Sequence, residues 1–142
     1  MSLHVEVKID IILHATENKE KVFDSFLENF DIKQENFHIQ NLTGHFDNPI
    51  TLASTNLKKE GAKAFVIKFF NAVNKTDFDK IYEHVEEGIQ SSGLKLKISK
   101  QEMISGSVVL EDSDALKITI ICPVYVKKDS KKIYQQLFQL GK

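Results

Sequence analysis

Apolar and polar positions alternate with a period of two over the first thirteen residues. Leu3, Val5, Val7, Ile9, Ile11 and Leu13 fall on one side, and His4, Glu6, Lys8, Asp10 and His14 on the other. That period predicts a strand that covers a core with one face and leaves the other open. The period then changes. Val22, Phe23, Phe26, Leu27 and Phe30 follow helical spacing, which predicts a helix over 17–30 with Thr16 as its N-cap and Glu17 and Glu20 in its first turn. A second strand is expected from Phe37 to Thr43. A turn over Gly44–Pro49 then leads into a third strand from Ile50 to Leu57.

Two helices should follow. Ala62, Phe65, Val66, Phe69, Phe70 and Val73 form an apolar stripe that must be buried. Asn74-Lys75 interrupts it, and Thr76 with Asp79 three residues on predicts a new start for a helix carrying Phe78, Ile81, Tyr82, Val85 and Ile89, ended by Ser91-Ser92-Gly93. Alternation returns at Leu94, Leu96 and Ile98, set against Lys95, Lys97 and Ser99. Ser107–Leu110 and Ala115–Cys122 flank the acidic run Glu111–Asp114 and read as a hairpin. Pro123 closes the last strand, and a short helix from Ser130 carries Ile133, Leu137 and Leu140. The pattern is α+β: one domain over 1–142, two-layered, with a mainly antiparallel sheet covered on one face by helices.

Composition narrows the function class. The chain has 142 residues, 42% hydrophobic and 27% charged, enough to bury a core without staples. No apolar run approaches the ~20 residues of a membrane span, and no signal-peptide pattern is present. One cysteine, Cys122, leaves no internal disulfide and points to a reducing, cytoplasmic setting. Net charge is −1, which argues against strong polyanion binding, but its distribution is uneven: residues 1–93 carry −5 and residues 94–142 carry +4. Every basic residue is lysine. Lysine meets phosphate as a point charge and lacks the planar fork that reads guanine, so contacts made by these cations follow a nucleic-acid backbone rather than its sequence. Lys95, Lys97 and Lys100 are the best phosphate candidates, with Lys117 able to join them if its strand pairs in register. Lys127, Lys128, Lys131 and Lys132 make a second basic cluster.

Catalytic signatures are missing. There is no glycine-rich phosphate loop and no nucleophile elbow, and Cys122 in an apolar run before Pro123 reads as a buried, inert thiol. One corner holds polar chemistry. His14-Ala15-Thr16-Glu17 closes the first strand, and Gly44-His45-Phe46-Asp47-Asn48-Pro49-Ile50 forms the turn after the second. A helical crossover would make those strands parallel and bring His14 and His45 to one edge. Asp47, Asn48 and Pro49 are ordinary turn residues and Gly44 supplies backbone freedom, so the corner reads first as structure and second as a polar recognition site. Metal binding or catalysis by His14, His45 and Asp47 is the weakest option, because the spacing is not that of a helical zinc motif. Phe46 at the turn tip either packs down or stacks on a base.

These motifs resemble an archaeal family of small RNA-binding proteins described as exosome-associated. The resemblance rests on His14-Ala15-Thr16-Glu17 with Lys21-Val22 after it, on Gly44, His45, Phe46, Asn48, Pro49 and Ile50, and on Lys100-Gln101 followed by Gly106. The chain departs from the family at Asp47, where glycine is usual. The resemblance implies a fold like that of the fifth large-subunit ribosomal protein and a role in RNA binding. The expectation is therefore a non-enzymatic RNA-binding accessory protein attached to an RNA-processing complex, with no cofactor, metal or membrane partner. Lys95, Lys97, Lys100 and Lys117 would contact phosphate, and Gln101, His45 and Phe46 would contact base or sugar. The alternative is a protein-interaction or homodimerisation module that does not touch RNA, using the open face of the first strand.

Overall fold

A computed structural model describes residues 5–43, 48–85, 89–90, 93–113, 115–122 and 130–139. The elements are β1 (Glu6–His14), α1 (Lys19–Phe30), a 3-10 turn (Gln34–Asn36), β2 (His38–Thr43), β3 (Pro49–Lys58), α2 (Lys59–Ala72), α3 (Lys75–Glu83), β4 (Ile89–Gln90), β5 (Gly93–Ser99), α4 (Lys100–Ile104), β6 (Ala115–Ile121) and α5 (Ser130–Phe138). The strands form one sheet in the order β2-β3-β1-β6-β5-β4, and each neighbouring pair is antiparallel. The fold is α+β.

Alternation in β1 decides which face is covered. Val5, Val7, Ile9, Ile11 and Leu13 are buried, while Glu6, Lys8, Ile12 and His14 are exposed. The register carries this division across the sheet. Ile9 lies opposite Thr55 and Ile118, and Ile118 lies opposite Leu96, so the covered face runs through Ile118, Ile120, Leu94, Leu96 and Ile98. Helix α2 packs against β1 and β3, and an unbroken series of aromatic contacts ties the helices together. Phe37 meets Phe26 at 5.0 Å between ring centroids, Phe30 meets Phe65 at 4.8 Å, Phe69 meets Phe70 at 5.0 Å, and Phe70 meets Phe138 at 4.6 Å. Such pairs add about 0.5–1.5 kcal/mol each beyond the area they bury. The phenylalanine stripe of α2 is core: Phe65, Phe69 and Phe70 are at most 1% exposed.

Several local expectations are corrected. Thr16 does not cap α1. Asn18 does, its side chain accepting from the backbone N–H of Lys21 at 3.1 Å, because residues 14–17 are already committed to a turn closed by the Glu17 N–H donating to the His14 carbonyl. Thr76 does not open α3 either. Asn74 caps it by accepting from the Asp77 N–H at 2.8 Å. That helix ends at Glu83 rather than past Ile89, and Ile89 pairs with Leu94 in β4. The hairpin of Ser107–Leu110 with Ala115–Cys122 does not form. β6 is inserted between β1 and β5, and 107–110 makes only single bridges, Val108 with Val73 and Leu110 with Ile98. The five-residue α4 takes the space where no element was foreseen. Ser99 caps it, accepting from the Glu102 N–H at 3.2 Å.

Candidate functional site

Because every neighbouring strand pair is antiparallel and β3 lies between β1 and β2, β1 and β2 run parallel, as the crossover predicts. They are not adjacent. Ile50 of β3 sits opposite both His14 and Leu42, so the third strand occupies the place expected for a direct meeting of the two motifs. Gly44, His45, Phe46 and Asp47 lie outside the described residues. What does converge is His14-Ala15-Thr16 with Asn48-Pro49-Ile50, which line an open cleft of about 420 Å³, more apolar than polar. Among the described residues no group of three or more His, Cys, Asp and Glu side chains is placed to hold a metal ion.

Behind the cleft sits a buried ion pair. Lys100 Nζ donates to Glu17 Oε1 at 2.9 Å and to the carbonyl of Ile12 at 2.8 Å. The same Glu17 oxygen accepts from the His14 N–H at 3.0 Å. The Lys100 side chain is 3% exposed and that of Glu17 12%. This corrects the expected role of Lys100. It is not displayed beside Lys95 and Lys97 but turned inward at the start of α4, where it fastens the 14–17 turn to the end of β5. Glu17 and Lys100 are thus partners, 83 positions apart in sequence. Gln101 is exposed and borders a second, smaller cavity of about 190 Å³ with Glu17, Ser99, Lys100, Glu111 and Ser113.

The remaining lysines belong to the open face of the sheet. Lys97 lies directly opposite Lys117, Lys117 opposite Asp10, and Lys95 opposite Thr119, which in turn faces Lys8. Lys58 and Glu6 pair at the far end of β1. Among the described residues the face therefore carries Lys8, Lys58, Lys95, Lys97 and Lys117 against Glu6, Asp10 and Glu111, whose backbone N–H donates to the Lys97 carbonyl at 3.0 Å, on a chain whose net charge is −1. Lys8 and Lys58 went unnoticed as partners of the C-terminal lysines. Strand order sets Lys8 beside β6, whereas Lys58 on β3 is separated from β6 by β1 and sits opposite Glu6. Of the second basic cluster, Lys131 is half-buried and Lys132 exposed on α5, and Lys127 and Lys128 lie outside the described residues.

Two further groups are closed to solution chemistry. Cys122 is 5% exposed, and burial pushes its thiol above the ordinary range. Tyr134 is 2% exposed. Its hydroxyl donates to the Ile120 carbonyl at 3.3 Å and accepts from the Cys122 N–H at 3.2 Å, and burial pushes its pKa above the ordinary range as well.

A family model described as RNA binding matches residues 6–124. The chain belongs to this RNA-binding family. One relative within reach of the family is a protein of Pyrococcus abyssi named as RNA-binding, 28% identical over 121 residues that span 80% of this chain and 79% of that one. Two crystal structures share the fold of this RNA-binding family member. A protein of Archaeoglobus fulgidus superposes with a TM-score of 0.78 at 22% identity, covering 94% of this chain and 99% of the other. A protein of Sulfolobus solfataricus gives 0.75 at 20% identity, covering 94% and 98%.

Proposed function

We propose that this chain binds RNA along its phosphate backbone, through the lysines on the open face of its sheet, as a non-enzymatic accessory protein. Membership of the RNA-binding family supports the ligand class. The observation that carries the reading is the direct opposition of Lys97 and Lys117. Like charges facing each other across two strands are destabilising, and their Cα atoms are only about 4.5–5.5 Å apart. Asp10 flanks Lys117 and Glu111 flanks Lys97 on the outer sides of the pair, which offsets part of that repulsion. A phosphate above the pair relieves the repulsion, and Lys95 and Lys8 extend the cationic track on the next row.

Titration of labelled RNA at several salt concentrations tests this. Affinity should fall steeply as salt rises, because each neutralised phosphate releases counterions. Lys97→Gln and Lys117→Gln should each flatten the slope of log affinity against log salt by about one unit. No binding at low salt sinks the proposal.

A finer part of the reading, association with the RNA-processing exosome and kinship with the fifth large-subunit ribosomal protein, is supported by the motif resemblance and by the antiparallel sheet backed by helices. Affinity capture of the tagged chain from an archaeal host after ribonuclease treatment checks it: exosome subunits should be retained, and their absence removes the association.

A further inference from the structure

The open face is divided. One end carries the lysines of β5, β6 and β1. The other end is apolar, because Ile12 pairs with Leu52 and Leu42 pairs with Ile50 on the same face, one step further along the strands. Ile12 is 51% exposed and Leu42 47%, two of the three large hydrophobic residues that the described surface displays. Just beyond them opens the cleft of His14, Ala15, Thr16, Asn48, Pro49 and Ile50.

We infer that this face takes unpaired RNA, with phosphates over the Lys97–Lys117 end and bases laid over Ile12, Leu52 and Leu42 toward the cleft of His14 and Pro49. The inference rests on the proposed RNA binding and specifies the form of the ligand. Asp10 is opposite Lys117, so Ile12 is the diagonal neighbour of Lys117, about 7–8 Å away between Cα atoms. A nucleotide has the same two chemistries at a similar separation: a charged phosphate at one end and an apolar base face at the other. A duplex keeps its base faces stacked inside and presents only phosphate and sugar at this distance, so it would bury Ile12 and Leu42 against charge. A single strand offers each base face to an apolar surface, where stacking and packing are sequence-tolerant. The charge of the lysine end is complementary to the phosphates, and the apolar end continues from it without a break in register. Lysines that track backbone and aliphatic side chains that accept any base together predict little sequence preference.

The test compares an unstructured single-stranded RNA of mixed sequence, a duplex RNA with the same number of phosphates, and inorganic polyphosphate as a base-free polyanion. Each is titrated against the full chain and against Ile12→Ser/Leu42→Ser, a double variant confined to exposed side chains. The wild-type chain should favour the single strand over both other ligands. The double variant should lose about tenfold in affinity for the single strand while its weaker binding of duplex and polyphosphate is unchanged. Duplex or polyphosphate binding as tightly as the single strand overturns the inference while leaving RNA binding intact. So does an unchanged single-strand affinity in the double variant, including the case where that variant instead abolishes a dimer seen by sedimentation. Failure of both RNAs to bind at low salt removes the broader proposal as well.

Discussion

Lys100 Nζ and Glu17 Oε1 meet at 2.9 Å behind the turn that closes β1, and the same carboxylate oxygen holds the His14 N–H. A cation on α4 and an anion 83 residues earlier thereby fix the backbone of one wall of the cleft. Removing one member of a buried pair strands the charge of the other, which costs more than the pair contributes. Lys100→Met should lower unfolding free energy by about 2–4 kcal/mol, and Glu17→Gln by a similar amount. The double variant should recover much of that loss, since it leaves no uncompensated charge. Urea midpoints of the four proteins check this, and strict additivity of the two losses would contradict it.

A separate latch joins α3 to the segment after α4. Asp77 is 8% exposed, and its Oδ2 accepts from the Leu110 N–H at 3.2 Å and the Asn74 side-chain amide at 3.3 Å. Asp77→Ala leaves the Leu110 N–H without its acceptor and weakens the helix cap, with an expected loss of about 1–3 kcal/mol in urea denaturation. Asp77→Asn retains an acceptor and should cost less.

Gly93 sits where β5 begins, with φ +119°, a conformation that residues with a Cβ rarely adopt. A Cβ there would come within 2.7 Å of the Ile120 carbonyl oxygen, which belongs to the sheet and does not swing aside. Gly93→Ala should therefore cost about 2–4 kcal/mol through strain and displacement of β6. Thermal unfolding measures it. Gly61→Ala on α2 is the contrast: nothing lies within 4 Å, and helix propensity makes the change neutral or stabilising.

Alkaline pH should unfold the chain through two neighbours. The Cys122 thiol and the Tyr134 hydroxyl are both raised above their ordinary values of 9.0 and 10.0, chiefly by burial. A raised acid favours its protonated form in the folded state, so the unfolded state releases those protons first. Stability should be level below about pH 8 and fall as pH climbs past 9, then more steeply past 10. Denaturation midpoints from pH 7 to 11 give the profile, and Cys122→Ala should remove the earlier part of the fall. The thiol should also resist aromatic disulfide reagents in the folded protein and react promptly in urea.

Much of the fold was legible where burial has a simple period. The strands β1, β3, β5 and β6 and the helix α2 follow directly from alternation or from the phenylalanine stripe, since each has one face against the core. The errors cluster where two side chains compete for one backbone site. Thr16 and Asn18 are both suitable caps, and so are Asn74 and Thr76; the turn at 14–17 and the Asp77 latch decide between them, and both depend on residues far along the chain. The hairpin expected at 107–122 failed for a different reason: β6 finds better apolar partners in Val7, Ile9 and Leu96 than in its sequence neighbours. Lys100 was misplaced because nothing in its immediate surroundings distinguishes it from Lys97. Its bonds to Glu17 and to the Ile12 carbonyl turn it inward. The opposition of Lys97 and Lys117 needed the register as well as the alternation.

The strand order β2-β3-β1-β6-β5-β4 has a consequence for how the chain is made. β1 precedes every other strand of the sheet in the chain yet lies in the middle of the sheet, and one of its two neighbours, β6, begins only at Ala115. At synthesis rates of about 5–20 residues per second, the open side of β1 waits roughly 5–20 seconds for that partner. Once β3 is complete at Lys58, Val7 and Ile9 have that strand beside them and nothing on the other flank until β6 arrives. Nascent chains should thus be most vulnerable to strand-to-strand aggregation in the window after β3 is complete and before β6 arrives.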